Sequence, residues 1–345
     1  MTDNQVSNIV FLGTPEFALP TLNAIYAAPG FHIAAVITQP DRPAGRGKKL
    51  QPPPVKVQCE AWGDVPFFQT ASIKKDKELQ LKLHNLAPDF FVTVAFGQIL
   101  DETVLSIPKY GTVNAHASIL PKYRGANPIQ HAILDGETAT GITTMLTELG
   151  VDTGPILAVE TTPIETEDTL GTLTKKLSTM SGPLVVKTLD GILSGDIIPS
   201  KQDDTLSSHA PKCQKSDAMI QWHASAVAIQ RKIRAFNPTP RATTALWIKD
   251  HHEQSQEMQL KILSSQCIAN SEKLSDSLKK LQPGQCHITE DHRVLVQTSE
   301  GVLEILSLQP PGKKEMPVKQ WIQGIQNKYK LTAASLIFSL PDASL

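Results

Sequence analysis

The sequence predicts an α/β protein: a Rossmann-like N-terminal domain with a mostly parallel sheet, followed by a C-terminal OB-like β-barrel. Three observations carry this prediction. The chain opens with an apolar run, Asn8–Gly13, that stops at a glycine and leads into a helical stretch, Pro15–Ala28; this is a βα opening. Further apolar runs, His32–Thr38 and Asp89–Gly97, alternate with helical stretches, as parallel strands with crossovers require. Beyond residue 240 the pattern changes to short strand-like runs separated by turn residues, as expected of a small barrel.

The elements follow in order. Val55–Trp62 reads as a helix, Val65–Gln69 as a short strand and Lys75–Asn85 as a charged amphipathic helix. Thr112–His116 is a strand, Pro128–Leu134 a helix with proline in its first turn, and Thr140–Glu148 and Ile156–Pro163 form a hairpin. Thr169–Leu193 is a long helical pattern. These elements make a first domain over residues 1–193. Residues 194–216 lack sustained periodicity and read as a linker. Ser216 is placed to cap a helix from Asp217 to about Arg234, with Met219, Trp222, Ala226, Ile229 and Ile233 on its apolar face. The strands Thr243–Ile248, Gln259–Ser265, Gly284–Ile288, Arg293–Thr298 and Val302–Leu308 and a helix over Pro317–Lys328 complete a second domain, 217–330. Residues 331–345 are left as a tail.

Composition narrows the class. No apolar run approaches the roughly 20 residues of a membrane span. The N-terminus carries no Lys or Arg before Arg42, which argues against a signal or transit peptide. Four scattered cysteines, Cys59, Cys213, Cys267 and Cys286, form no CxxC and no metal-binding set. A reduced, cytoplasmic protein is expected. The net charge of −1 is uneven. Residues 1–204 hold 16 basic against 22 acidic side chains (−6) and residues 205–345 hold 17 against 12 (+5), so the second half suits an anionic partner.

Two stretches carry candidate chemistry. The first is Gln39–Pro54, where residues 41–56 contain five basic side chains and one acidic one. Its glycines and prolines argue against helix or strand. A basic loop at the C-terminal end of a parallel strand suits a phosphate backbone, although a solvated surface loop fits the composition equally well. No G-x-G-x-x-G follows Gly13, which disfavours a dinucleotide cofactor. The second stretch is Gly111–Gly154. On a strand, Asn114 and His116 point to the same side, and Asp152 lies in the hairpin loop that follows. An amide, an imidazole and a carboxylate brought together can bind an oxyanion, move a proton and orient the base. Taken singly, each reads as well as a structural histidine, an uninformative asparagine and a turn-forming aspartate.

The run NAHASILPKYRGANPIQ followed by GVDTG resembles the folate-dependent formyltransferases, whose pattern is N-x-H-x-S-[LI]-L-P-x-[YW]-R-G with a distant D-T-G. Ala115, Ala117 and Asn127 depart from that pattern without replacing a catalytic polar group. The resemblance implies formyl transfer from 10-formyltetrahydrofolate with Asn114, His116 and Asp152 at the reaction centre and no metal. It implies a folate pocket at Ser118, Ile119, Leu120 and Pro121, with Phe96, Gly97 and Ile99 on its border, the last three being equally readable as core. QPDRPAGRGKKL matches the loop with which members acting on initiator methionyl-tRNA reach the acceptor stem, which implies RNA contacts at Arg42, Arg46, Lys48 and Lys49. IRAFNP resembles the I-R-A-F-x-P signature that opens the family's C-terminal domain, but Thr239-Pro240-Arg241 stands where that pattern continues to P-G. A monomer acting on tRNA is the expectation. A sibling enzyme formylating a small amine, such as an amino sugar nucleotide or glycinamide ribonucleotide, would keep the three polar residues without the basic loop. A non-catalytic RNA- or folate-binding protein is the alternative of another class.

Overall fold

The computed structural model describes residues 6–44, 47, 49–249, 255–268, 280–329 and 336–339. Two compact units divide the chain: residues 1–129, 138–164 and 172–211 in the first, and 130–137, 165–171 and 212–345 in the second.

The first unit is built on a seven-stranded sheet. Its strands are β1 (Ser7–Gly13), β2 (Phe31–Thr38), β5 (Phe67–Gln69), β6 (Phe90–Val94), β7 (Thr112–His116), β8 (Ala139–Leu146) and β9 (Ile156–Pro163), in the order β5-β2-β1-β6-β7-β8-β9. β5 through β7 are parallel in that order, and β8 and β9 add an antiparallel hairpin on one edge. The near-continuous apolar composition of β1 and β6 follows from burial on both faces. Helices α1 (Leu19–Ala27), α2 (Pro54–Trp62), α3 (Lys77–Asn85) and α4 (Glu102–Leu105) fall between the strands and α6 (Leu170–Ser194) follows β9, while α5 (Pro128–Asp135), after β7 in sequence, belongs mostly to the second unit. The strand order reverses between β1 and β6, so the crevice beyond their carboxyl ends is the position where such sheets bind ligands.

Between β2 and α2 the backbone forms a small hairpin, β3 (Arg42–Ala44) with β4 (Lys49–Gln51), where the sequence argued against strand. Pro43 is compatible because a two-stranded ribbon leaves edge positions that need no donor. The base of this hairpin is anchored. Asp41 accepts from Lys56 Nζ at 3.0 Å and from Gln69 Nε2 at 2.9 Å. The Gln69 hydrogen bond, then Lys56, holds the Asp41 carboxyl below the usual carboxylate range.

The second unit is an antiparallel sheet curled into a nearly closed barrel. Its strands run β12 (Cys286–Ile288), β13 (Val294–Gln297), β14 (Val302–Gln309), β11 (Ser255–Ile268), β10 (Ala242–Lys249) and β16 (Leu336–Ser339), with β15 (Met316–Pro317) pairing β14. Helices α7 (Ala226–Ala235) and α8 (Val318–Tyr329) complete it. Its core includes Ile229, Ile233, Leu246, Ile262, Ile305, Trp321 and Phe338.

Two expectations change here. The helix expected from Asp217 begins at Ala226, because Ser225, not Ser216, supplies the cap: its side chain accepts from the Ala228 amide. Residues 215–218 form a 3-10 turn, and Met219 pairs with Thr243 as a parallel bridge. Trp222 is buried in this non-helical stretch, its indole donating to Thr244 Oγ1 at 2.9 Å. Second, Leu336–Ser339 of the expected tail pairs with β10 and closes the barrel toward β12. Phe338 N donates to Gly284 O at 2.8 Å. Gly284 has φ +89°, and a Cβ there would stand 2.1 Å from the Phe338 carbonyl oxygen. Gly284→Ala therefore costs about 2–3 kcal/mol from left-handed strain plus displacement of β16, read as a lower Tm of the full chain; an unchanged Tm would show that β16 does not close the barrel.

Candidate functional site

The three polar residues of the motif converge because β7 and the β8–β9 loop meet at one end of the sheet. Asn114 and His116 lie two apart on β7 and share a face. Parallel pairing sets Thr93 of β6 beside Asn114, and the Thr93 hydroxyl donates to Asn114 Oδ1 at 2.8 Å. With its oxygen occupied in this way, the amide has its Nδ2 hydrogens left to offer. Thr93 was missed in the sequence reading, though a polar residue inside Phe90-Phe91-Val92-Thr93-Val94 was a signal.

His116 is buried. Its Nε2 lies 2.8 Å from the Tyr123 carbonyl oxygen, which can only accept, so Nε2 carries a hydrogen and Nδ1 is the ring nitrogen turned away from that carbonyl. Nδ1 faces Asp152 Oδ2 at 3.6 Å, beyond hydrogen-bond range but close enough for the carboxylate to stabilise an imidazolium. The same Oδ2 accepts from the Gly125 amide at 2.8 Å. The carboxylate is thus held by the YRG turn rather than by the histidine.

Backbone strain gathers around this centre. Ala95 (φ +48°), Tyr123 (φ +61°) and Asp152 (φ +53°) are left-handed non-glycine residues at the end of β6, in the turn after β7 and in the β8–β9 loop. Such residues persist where the surroundings over-determine them, often at functional sites.

The remaining predicted site residues divide. Ser118 and Leu120 are buried. Ser118 Oγ donates to Lys122 O at 2.7 Å, while Thr143 Oγ1 donates to Ser118 O at 2.7 Å and accepts from Leu120 N at 3.1 Å. Pro121 follows a cis peptide bond. The Ser118 carbonyl and the Leu120 amide are thereby committed to holding the turn, and Ile119 and Pro121 are half-buried beside them. Phe96 packs its ring in the core with Val10, Leu12, Ile37 and Phe91. Its carbonyl accepts from Gln39 Nε2 at 2.7 Å and Thr14 Oγ1 at 3.4 Å, which joins the ends of β1, β2 and β6 across the crevice. Gly97 (φ +74°) lies against Gln39, and Ile99 is 65% exposed. Arg42 is exposed and donates to Gln39 Oε1, so the hairpin touches the same glutamine that meets Phe96. Lys49 is exposed on β4; Arg46 and Lys48 lie outside the described residues. In the second unit, Arg241, standing where the family pattern has glycine, adopts φ +77° and is held by Gln309 Oε1 at 2.6 Å.

Comparison with known proteins identifies the family. Residues 7–189 match the family described as formyl transferase, and residues 212–326 match the formyl transferase C-terminal domain. The methionyl-tRNA formyltransferase of Clostridium novyi (strain NT) is 42% identical over 316 residues, 92% of this chain and 96% of that protein. Among solved structures, the sugar 3N-formyl transferase WlaRD shares the fold at a TM-score of 0.62 and 18% identity, over 90% of this chain and 99% of that one. HypX from Aquifex aeolicus shares it at a TM-score of 0.56 and 15% identity, over 93% of this chain; the match spans about half, 48%, of HypX. The chain belongs to the methionyl-tRNA formyltransferase branch of the formyl transferase family.

Proposed function

We propose that this protein transfers the formyl group of 10-formyltetrahydrofolate to the α-amino group of methionine on initiator tRNA. The observation that carries the chemistry is the Asn114–His116–Asp152 arrangement. The free amine attacks the formyl carbon, and the carbonyl electrons move onto oxygen. Asn114, with its Oδ1 held by Thr93, donates an N–H to that oxyanion. The carbon–N10 bond then breaks, N10 takes a proton, and the amine loses one. His116 Nδ1 relays the proton, and the Asp152 charge stabilises the imidazolium between the two transfers. Every role falls to an amide, an imidazole or a carboxylate.

Thr93→Val keeps the shape of the side chain and removes its donor. It should lower kcat by about tenfold, the size of one hydrogen bond of roughly 1–1.5 kcal/mol, with KM unchanged and Thr93→Ser restoring the rate. A valine variant with full kcat would remove Thr93 from the mechanism.

The choice of tRNA over a small amine rests on the relatives and on the hairpin. Lys56 is paired with Asp41, which leaves the excess positive charge of residues 41–56 on Arg42, Arg46, Lys48 and Lys49. Phosphate contacts would use that charge. Arg42→Ala should weaken formylation of charged tRNA and lessen its salt dependence, each lost phosphate contact changing the log–log slope by roughly 0.7–0.9. Slow transfer to a small amine serves as the control. If the variant loses both activities equally, the hairpin serves the folate site. If it loses neither, the sugar-nucleotide or glycinamide reading moves ahead.

A further inference from the structure

We infer that residues 200–211, which the sequence reads as linker, form a strap that positions the two groups facing His116, and that Gln202 is its main positioning residue. The inference rests on the activity proposed above and adds residues outside the motif.

The strap is continuous. It begins at Ser200, which exchanges two backbone hydrogen bonds of 2.8 Å with Ile156 at the start of β9. Two residues on, Gln202 is buried, and both ends of its amide are in use. Nε2 donates to Asp152 O at 2.9 Å and to Gly154 O at 2.7 Å. Oε1 accepts from Arg124 Nε at 3.1 Å and Nη2 at 2.8 Å. Arg124 also reaches Asp204 Oδ1 at 2.8 Å. One side chain therefore ties the Asp152 loop to the YRG turn and satisfies all four of its own hydrogen-bonding positions.

Farther along, the strap grips the turn that faces the other side of the imidazole. Tyr123 N donates to Ser208 Oγ at 2.9 Å, Arg124 N to Ser208 O at 2.8 Å and Ala210 N to Arg124 O at 2.7 Å. The approach is close enough that a Cβ on Gly125, at φ +118°, would stand 2.8 Å from Ala210 O. Tyr123 supplies the carbonyl at His116 Nε2, and Gly125 supplies the amide that holds Asp152 Oδ2. The strap thus restrains both strained residues, Tyr123 and Asp152, that flank the ring. Most of the segment is exposed, and its two buried residues, Gln202 and Ala210, are the ones set against the Asp152 loop and the YRG turn.

The discriminating variant is Gln202→Glu. It keeps an acceptor for Arg124 but sets an oxygen against the carbonyls of Asp152 and Gly154. If Gln202 acts through Asp152, kcat falls by about 10- to 30-fold with both KM values within about threefold of wild type. The same change in an Asp152→Asn background then costs less than about threefold, because the charge being positioned is already gone. Equal losses in both backgrounds, or a wild-type kcat, would overturn the inference. Amide hydrogen exchange gives a readout that needs no substrate. Gly125 should exchange at least tenfold faster in Gln202→Glu, while Val113 in β7 is unchanged; an unchanged Gly125 rate would also overturn it. Should that variant not fold, Ser208→Ala loosens Tyr123 alone, and faster exchange at Tyr123 with a several-fold drop in kcat is expected; wild-type values for both would count against the strap. A wild-type protein that fails to formylate charged tRNA refutes the proposed activity and leaves the exchange test of the strap standing.

Discussion

His116→Ala is expected to lower turnover by on the order of a hundredfold or more while the protein stays folded. The ring is buried and bonded to the Tyr123 carbonyl, so its removal leaves a small cavity and takes away one hydrogen bond. Neither change reaches the sheet, whose hydrogen bonds are main-chain. The amine must still lose a proton and N10 must gain one, and with no imidazole at this point the relay between them is lost. Single-turnover formylation, with circular dichroism as the control for folding, measures the effect. A folded alanine variant with wild-type-like turnover would remove His116 from the mechanism.

Asp152→Asn is expected to cost about as much, for an electrostatic reason. Asparagine tolerates the left-handed backbone at φ +53° and keeps an oxygen that can accept the Gly125 amide, so the loop is preserved and only the charge is lost. A hundredfold rate loss corresponds to about 2.7 kcal/mol of transition-state stabilisation. The carboxylate stands 3.6 Å from Nδ1, so its role is that of a nearby charge and not of a direct hydrogen bond. Rates measured beside the melting temperature check it: unchanged kcat with an intact fold would show that Asp152 only holds the turn.

Much of this architecture was legible in the sequence because its signals are local. The apolar runs of β1 and β6 and the two-residue spacing of Asn114 and His116 each read directly as strand geometry. The strands of the barrel were visible for the same reason. What escaped depends on distant partners. β16 has only four residues and exists because β10, some 90 residues earlier in the chain, offers it an edge. The β3–β4 hairpin has three residues per strand and a proline, too short for a period to emerge. Ser216 and Ser225 are both plausible caps, and Met219 and Trp222 sit at helical spacing, yet both residues precede the helix. At the site, the motif supplied the three candidate side chains, but their supports came from elsewhere. Thr93 was readable as a polar residue in an apolar strand. Gln202 carried no spacing signal, because its role depends on Asp152 and Arg124 being brought to it from 50 and 78 residues away. Of the folate assignments, Phe96, Ser118 and Leu120 fall on buried side chains beside bonded polar groups, whereas Gly97 and Ile99 are exposed and Ile119 and Pro121 half-buried.

The decisive measurement is a formyl-transfer assay on the protein, supplied with 10-formyltetrahydrofolate and charged initiator methionyl-tRNA, beside an amino sugar nucleotide and glycinamide ribonucleotide as competing acceptors. N-formylmethionyl-tRNA is expected as the main product, suppressed by rising salt and abolished in Asn114→Ala. Preferential formylation of either small amine, or no turnover with any acceptor, would contradict the proposed function.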